Sequence, residues 1–68
     1  MTGAELKAIR HALKLKTRQL GRAIGWQGKT NTLSVGIRKY ESDARPIPKT
    51  IERLVTMFSR HGVPEEWK

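Results

Sequence analysis

Apolar side chains in this 68-residue chain recur at steps of three and four residues in four short segments, and turn-forming residues separate the segments. That spacing puts the apolar side chains on one face of an α-helix, and no segment shows the strict alternation that indicates a strand. The length suits a single domain. We therefore predict one all-α domain of four to five helices over residues 1–68, with a short tail at residues 63–68. The predicted interior positions are Leu6, Ile9, Leu13, Leu20, Ile24, Leu33, Ile37, Tyr40, Ile51, Leu54, Val55 and Phe58.

Capping and turn residues set the limits of the first two predicted helices. Thr2 and Glu5 have the spacing of a capping box, in which each side chain accepts a hydrogen bond from the backbone N–H of the other residue. The first helix should begin there and run to about Leu15. Thr17 can cap a second, shorter helix, and Gly25 stands where a left-handed residue ends helices.

Two further helices follow a polar, glycine-containing connection at residues 26–32. Asn31 or Thr32 would cap the third helix, because short polar side chains accept hydrogen bonds from the free amides of a first turn. Pro48 suits the first position of the fourth helix, and Gly62 is placed to end it.

Charge is distributed unevenly along the chain. No acidic residue lies between Glu5 and Glu41, and the net charge is +8. A polyanion binds such a surface by releasing its condensed counterions, which requires neither a pocket nor a catalyst. The pattern predicts a phosphate-binding surface, and the alternative is an ordinary solvated cationic face. The basic residues of this interval are Lys7, Arg10, Lys14, Lys16, Arg18, Arg22, Lys29, Arg38 and Lys39.

Catalytic motifs in the sequence are incomplete. Residues 28–30 read Gly-Lys-Thr like the end of a phosphate-binding loop, but Ala23 stands where the first glycine is required and no strand pattern precedes it. His11 and His61 are the only histidines, and there is no cysteine to complete a metal site or a nucleophile relay. We therefore predict no catalytic residue, no metal and no cofactor, and thus a protein that is not an enzyme.

The sequence also carries signals about location. Without cysteine there is no disulfide to indicate an oxidising compartment. The first residues lack the basic and then apolar pattern of a signal peptide, and no apolar run is long enough to span a membrane. We expect a cytoplasmic, nucleoid-associated protein with no membrane partner.

The second and third predicted helices together resemble the helix-turn-helix of the phage-repressor (Xre/Cro-like) family. The resemblance begins at residues 20–26, which read Leu-Gly-Arg-Ala-Ile-Gly-Trp. Leu20 and Ile24 take the inward positions of the family pattern. Gly21 takes the small position where the two helices cross, and Gly25 takes the turn.

A second segment extends the resemblance. Residues 40–48 are similar to the aromatic-Glu segment and the following Arg-Pro that close the recognition helix of the family. The match covers roughly residues 4–60 and implies a lambda-repressor-like fold, with a generic four-helix bundle as the alternative. The chain departs from the pattern in one place: ten residues separate Trp26 from Ile37, where the family has about four. Residues 27–32 could form either a loop or additional helix.

The resemblance implies a sequence-specific transcriptional regulator, a repressor of its own promoter, that binds double-stranded DNA with its recognition helix in the major groove. It implies a homodimer on an inverted repeat, with no small-molecule inducer. Arg38 is expected to bind guanine through its bidentate guanidinium, and Val35 to touch a thymine methyl. The expected base contacts are Asn31, Thr32, Ser34, Val35, Arg38 and Lys39. The expected phosphate contacts are Thr17, Arg18, Gln19, Gln27, Lys29 and Thr30.

Two pairs of residues near the ends of the predicted helices are expected to form contacts. Glu41 and Arg45 lie four residues apart and are expected to pair across the end of the third helix. Val63 and Trp67 lie beyond the fourth helix, where they either fold back on the core or form a two-fold dimer contact.

Two other functions compete with a DNA-binding regulator. An antitoxin-type interaction protein would neutralise a partner and bind DNA secondarily. A sequence-blind nucleic-acid binder would need only the positive charge, but binders of single strands also use exposed aromatic side chains. Trp26 and Tyr40 are assigned to the core, which counts against that function.

Overall fold

Four α-helices and a short 3-10 turn make up the protein, and there is no strand. The structure, a computed structural model, describes all residues from 1 to 68. The prediction of a small all-α domain is confirmed. None of the helices combines the length and the apolar composition that a membrane crossing requires. The helices are α1 (Gly3–Ala12), α2 (Thr17–Ala23), α3 (Thr30–Glu41) and α4 (Lys49–His61), and the 3-10 turn covers Glu65–Trp67.

The predicted capping box starts α1. The Glu5 N–H donates to the Thr2 hydroxyl oxygen over 3.1 Å, and the Thr2 N–H donates to Glu5 Oε1 over 3.0 Å. The hydrogen bond from the Thr2 backbone, with a further one from its side chain, lowers the pKa of Glu5 because both favour the ionised carboxylate.

The end of α1 differs from the prediction. The helix stops at Ala12 rather than at about Leu15, because Lys14 adopts a left-handed conformation with φ of 58°. The Leu15 N–H then donates to the Arg10 carbonyl over 3.1 Å, and the Lys14 N–H donates to the His11 carbonyl over 3.0 Å. These two bonds form a Schellman motif, and the turn carries Leu15 into the core, where it is 5% exposed. Leu15 was not a predicted interior residue.

The start of α2 also differs from the prediction, because Lys16 is its N-cap residue and Thr17 is already helical. Gln19 Oε1 accepts a hydrogen bond from the Lys16 N–H over 2.7 Å. The Thr17 hydroxyl instead donates to the hydroxyl oxygen of Ser34 on α3 over 3.0 Å. The predicted Thr17 cap is therefore wrong, since this hydroxyl joins two helices. Gly25 ends the helix in a left-handed conformation, as predicted, with φ of 93°.

Glycines at two contact points let the chain pack closely around the crossing of α2 and α3. A Cβ on Gly21 would lie 3.1 Å from Leu33 Cβ, and a Cβ on Gly36 would lie 2.7 Å from Cζ3 of Trp26. The Trp26 indole covers Gly36, and its ring centroid lies 5.7 Å from that of Tyr40. Gly21 thus has the crossing role that the sequence predicted. Gly36, at a cost of about 1 kcal/mol in helix propensity, makes room for the indole.

The third helix starts earlier than its predicted caps. It begins at Thr30, so Asn31 and Thr32 are helical residues and neither is the cap. Residues 27–29 alone separate the Trp26 turn from this helix. The early start of the helix is explained by the burial of Leu33, which is only 2% exposed. A helical turn that is already formed before Leu33 directs this side chain onto α2. The predicted end near Glu41 is confirmed.

The fourth helix completes the core. Pro48 is its N-cap residue rather than its first helical residue, and Gly62 ends it with φ of 82°. The buried apolar residues of the domain are Leu6, Leu15, Leu20, Ala23, Leu33, Ile37, Tyr40, Val55 and Phe58. The remaining predicted interior positions, which are partly buried, are Ile9, Leu13, Ile24, Ile51 and Leu54.

The start of α1 packs against the end of α3. Gly3 lies directly on the backbone of Glu41, where no side chain has room, and its N–H donates to Asp43 Oδ1 over 2.9 Å. The amino group of Met1 forms an ion pair with Glu52 on α4. These contacts join the start of the chain to the end of α3 and to α4.

Candidate nucleic-acid interface

The side of α3 that faces away from the core is exposed and mostly polar. Leu33, Ile37 and Tyr40 are turned toward the core. The outer face of α3 is formed by Asn31, Thr32, Val35, Arg38 and Lys39, all of which are exposed. Five of the six predicted base contacts therefore share one surface.

Ser34 is the predicted base contact that lies apart from this surface. It is half-buried, and its hydroxyl oxygen accepts the hydrogen bond from Thr17. Ser34 is therefore on the α2 side of α3, beside the outer face rather than on it. Its bond joins the first turn of α2 to α3.

An open basic cleft with a volume of about 630 Å³ lies between α1, α2 and α3. Its lining residues are Lys7, Arg10, Lys16, Thr17, Arg18, Ser34, Arg38, Glu41 and Ser42, none of them hydrophobic. Five of these side chains are cationic and one is acidic. A concave surface with like charges concentrates the potential and attracts counter-charged ligands. Arg38 belongs both to the cleft and to the outer face of α3, so the two surfaces are continuous.

Arg10 is the cation of this cleft that forms an ion pair within the protein. Its Nε donates to Glu41 Oε2 over 2.6 Å and its Nη2 to Oε1 over 3.2 Å, while Nη1 donates to the Leu15 carbonyl over 3.0 Å. The side chains of Arg10 and Glu41 are 11% and 8% exposed. Arg10 therefore joins α1 to the end of α3 and is not free to bind a phosphate, although it belonged to the predicted basic surface.

The predicted pair between Glu41 and Arg45 is wrong. Glu41 is held by Arg10, and Arg45 is exposed with no ion-pair partner. The Arg45 backbone N–H donates to the Lys39 carbonyl over 3.2 Å, in the turn that follows α3. The packing of α1 on α3 places Arg10 against the Glu41 carboxylate in the basic cleft, whereas Arg45 lines a different depression, beside Lys39.

The pairing of Arg10 with Glu41 determines the charge that the cleft presents. Glu41 is the one acidic residue in its lining, and Arg10 neutralises it. The other cations of the cleft, which form no ion pair, are Lys7, Lys16, Arg18 and Arg38. Every charge that the cleft offers to a ligand is therefore positive.

Lys7 and Lys16 were not among the predicted phosphate contacts. Both belong to the basic interval of the sequence, and that interval was the signal that could have identified them as phosphate contacts. Their neighbours in the cleft come from three helices, so only the folded chain brings them together.

The predicted phosphate contacts are arranged around α3. Arg18 is half-buried in the basic cleft, and Gln19 beside it uses its Oε1 to cap α2. Gln27 and Lys29 are exposed in the loop before α3, and Thr30 is exposed at its first residue. Arg18, Gln27, Lys29 and Thr30 are therefore accessible, while Thr17 and Gln19 already have intramolecular partners.

A second depression, with a volume of about 310 Å³, lies on the opposite side of α3 from the basic cleft. This Trp26 depression is lined by Trp26, Gln27, Thr32, Leu33, Val35, Gly36, Lys39 and Arg45. Trp26 was predicted to lie in the core, but it is only half-buried. The indole therefore contributes surface next to the outer face of α3.

The C-terminal tail folds back on the domain and still exposes apolar surface. Trp67 packs edge-on against Phe58 with ring centroids 6.0 Å apart, and Val63 is partly buried against the core. Trp67 nevertheless remains 43% exposed, and nearby Met57 is 47% exposed. Met57, Val63 and Trp67 form the C-terminal patch. The predicted dimer contact at Val63 and Trp67 stays a prediction.

The structure contains no cluster of His, Asp and Glu side chains that could hold a metal ion.

Comparison with protein-family models, curated proteins and solved structures finds no match to this chain. The resemblance to the phage-repressor family therefore rests on the sequence motifs alone.

Proposed function

We propose that this protein is a sequence-specific regulator of transcription that binds double-stranded DNA by inserting α3 into the major groove. The observation that carries the proposal is the outer face of α3, where hydrogen-bonding and cationic side chains lie between the basic cleft and the Trp26 depression. The major groove is about 12 Å wide, admits an α-helix and displays a distinct pattern for each base pair. A helix exposed in this way can read base edges while the cations beside it bind phosphates.

Base recognition is assigned to the outer face of α3. Arg38 would bind the O6 and N7 atoms of guanine with its two-pronged guanidinium, and Asn31 would bind adenine through its amide. Thr32 and Lys39 lie on the Trp26 side of the same face and would reach neighbouring bases. Ser34 supports this face through its bond to Thr17.

Phosphate binding is assigned to the cations in the basic cleft beside α3 and to the one before its first turn. Lys7, Lys16 and Arg18 line the basic cleft, and Lys29 stands before the first turn of α3. Each phosphate that a protein neutralises lowers the slope of log affinity against log salt by about 0.9. Binding should therefore weaken steeply as salt is raised.

A homodimer would bring two copies of α3 to an inverted repeat. Half-sites in successive major grooves lie about 34 Å apart, and one domain measures 29 × 25 × 20 Å. Two copies side by side therefore have the right size to span the site. A two-fold contact through the C-terminal patch would bury the exposed parts of Met57 and Trp67.

The biological role proposed here is repression of the chain's own operon, without a small-molecule inducer, by a protein in the cytoplasm and on the nucleoid. This role follows from the resemblance to stand-alone regulators of phage, prophage and plasmid operons. The alternative is an antitoxin-type protein whose partner covers the C-terminal patch. Stoichiometric co-purification of a second protein, lost on Trp67→Ser, would favour that alternative.

Selection of binding sites from random duplex DNA tests the proposed function. We expect the selected duplexes to share an inverted repeat. We expect Arg38→Ala to lose the preference for guanine at the position that Arg38 contacts. Arg53→Ala is a matched control, because Arg53 is an exposed cation on α4 beside Glu5 and Glu52. Binding without any preferred sequence would indicate a sequence-blind polyanion binder. Failure to bind duplex DNA at low salt would refute the proposal.

A further inference from the structure

We infer that the basic cleft binds condensed phosphate, meaning a chain of phosphate groups joined through shared oxygen atoms, as in inorganic triphosphate and the nucleoside triphosphates. Bound in the cleft, this chain would compete with DNA for the same cations. Binding of the chain does not depend on the function proposed above, whereas the competition rests on that function.

The cations of the cleft come from separate segments of the chain and line one cavity of about 630 Å³. Four of the five form no ion pair within the domain. Such like charges repel one another, and an anion that brings several negative charges into the same cavity relieves the repulsion. The four unpaired cations are Lys7 of α1, Lys16 before α2, Arg18 of α2 and Arg38 of α3.

A hydroxyl group of the lining also has a proton to donate. The Thr17 hydroxyl donates to Ser34 Oγ over 3.0 Å, and the Ser42 hydroxyl donates to the Lys39 carbonyl over 3.2 Å. The Ser34 hydroxyl accepts the bond from Thr17, and its own proton has no acceptor within the domain. Ser34 lines the cleft and is half-buried. Its proton is therefore free to bind an anion in the cleft.

The groups of the lining favour a ligand that makes all its contacts through anionic oxygens. The one carboxylate of the cleft, on Glu41, is already held by the Arg10 guanidinium. No hydrophobic residue lines the cleft, so it has no apolar surface for a nucleobase or a hydrocarbon chain. Phosphate groups meet both conditions, because their oxygens accept hydrogen bonds from lysine, arginine and hydroxyl donors.

A chain of condensed phosphates suits the cleft better than the backbone of DNA does. Successive phosphates of a DNA strand are separated by a sugar, and each carries one negative charge. Condensed phosphates share an oxygen atom, so they place more negative charge in the same volume. The bound chain would occupy Arg18, assigned above to DNA phosphates, and Arg38, assigned to a base. A competing anion is thereby added to a regulator that was proposed above without an inducer.

Isothermal titration calorimetry of the full chain with inorganic triphosphate, without DNA and at about 0.15 M salt, tests the binding. We expect saturation at one triphosphate per domain, and much weaker binding of a single inorganic phosphate, which contacts fewer cations. Lys7→Ala should weaken triphosphate binding about tenfold, the effect of losing a hydrogen bond to a charged group. Arg53→Ala is the matched control: it removes the same charge from α4, outside the cleft, and should change the affinity less than about twofold.

Ser34→Ala separates an anion seated in the cleft from diffuse attraction to a positive surface. The substitution leaves the net charge unchanged but removes the hydroxyl donor, so triphosphate should bind about threefold more weakly. Diffuse attraction depends on charge alone, so Lys7→Ala and Arg53→Ala would then weaken binding equally and Ser34→Ala would not weaken it. Either of these results, or the absence of saturable binding, would overturn the inference.

Nucleoside triphosphates identify which part of the ligand the cleft binds. ATP, GTP and CTP should bind as tightly as inorganic triphosphate, because the cleft has no apolar surface for a base. A nucleotide that binds far more tightly than inorganic triphosphate would contradict the inference.

Fluorescence anisotropy with a duplex obtained by the selection experiment tests the competition. Triphosphate should displace the duplex more effectively than sulfate at the same ionic strength, and equal displacement by the two anions would exclude the competition. Triphosphate binding without any binding of duplex DNA would refute the proposed function and leave the triphosphate site intact. Sequence-specific DNA binding without saturable triphosphate binding would do the reverse.

Discussion

Replacing Arg10 tests how the domain holds the basic cleft together. The Arg10–Glu41 pair is bidentate, and its side chains are 11% and 8% exposed. Arg10→Met would leave the Glu41 carboxylate buried without a cation and the Leu15 carbonyl without its donor. Breaking a buried pair of this kind costs about 3–5 kcal/mol. A domain of this size has a total stability of only about 3–10 kcal/mol, so the variant should lose much of its resistance to unfolding.

The assay is urea unfolding followed by the circular dichroism of the helices. Arg45→Met is the matched control: it removes the same charge from an exposed side chain without an ion pair, and should change stability by less than about 0.5 kcal/mol. The double variant Arg10→Met/Glu41→Leu should recover most of the loss, because an apolar pair can replace a buried ion pair at little cost. If Arg10→Met does not fold, the stability of the double variant still shows whether the unpaired carboxylate is the cause.

The outcome that would refute this reasoning is equal stability of the Arg10 and Arg45 variants. A large loss on Arg45→Met alone would restore the pair between Glu41 and Arg45 that the sequence suggested. A double variant as unstable as the Arg10→Met single variant would show that the loss comes from packing or from the Leu15 carbonyl, and not from an unpaired carboxylate.

Four further predictions concern α3, its loop and the start of α1. Gly36→Ala adds about 1 kcal/mol of helix propensity but places a Cβ 2.7 Å from the Trp26 ring, and overpacking costs about 1–3 kcal/mol. Urea unfolding should therefore show a net loss in the wild type and a gain in a Trp26→Leu background; a gain in both would exclude the contact. Glu5→Gln should destabilise the domain at neutral pH. Because the folded-state pKa of Glu5 is lowered, the difference should be complete above the unfolded-state pKa of about 4.3 and disappear as pH falls through the folded-state value; a difference that persists in strong acid would contradict this. Arg38→Ala should cost about 1–3 kcal/mol on a selected duplex and little on random DNA in anisotropy titrations, and equal losses on both would make Arg38 a phosphate contact. Lys29→Ala should weaken binding to all sequences alike and reduce the salt slope by about one, whereas an unchanged slope would remove Lys29 from the interface.

Sequence signals predicted those features of the fold that depend on bonds between near neighbours. The capping box joins residues three apart, and the left-handed turns at Gly25 and Gly62 follow from the freedom of glycine to adopt positive φ. The end of α1 uses the same kind of turn with Lys14 in the glycine position. Lysine gives no signal for such a turn, so the burial of Leu15 was not predictable from the local sequence.

Contacts between distant segments explain most of the other differences. Spacing along a helix suggested Arg45 as the partner of Glu41, whereas the actual partner, Arg10, is 31 residues away. The Thr17 hydroxyl likewise bonds Ser34, 17 residues away, in place of an amide of its own helix. The uneven charge predicted which part of the chain carries the basic surface. Which of its cations remain free could be determined only once the helices were packed.

The ten residues between Trp26 and Ile37 form a short loop and the first part of α3. Only residues 27–29 are loop, and α3 adds a complete turn before Ile37, so the helix has 12 residues. At about 1.5 Å per residue it is about 18 Å long. The first turn of α3 packs closely on α2, because Leu33 is buried and a Cβ on Gly21 would lie 3.1 Å from Leu33 Cβ. This turn carries Asn31 and Thr32, both exposed on the outer face, so the packing that orders the start of α3 also presents these two side chains to solvent.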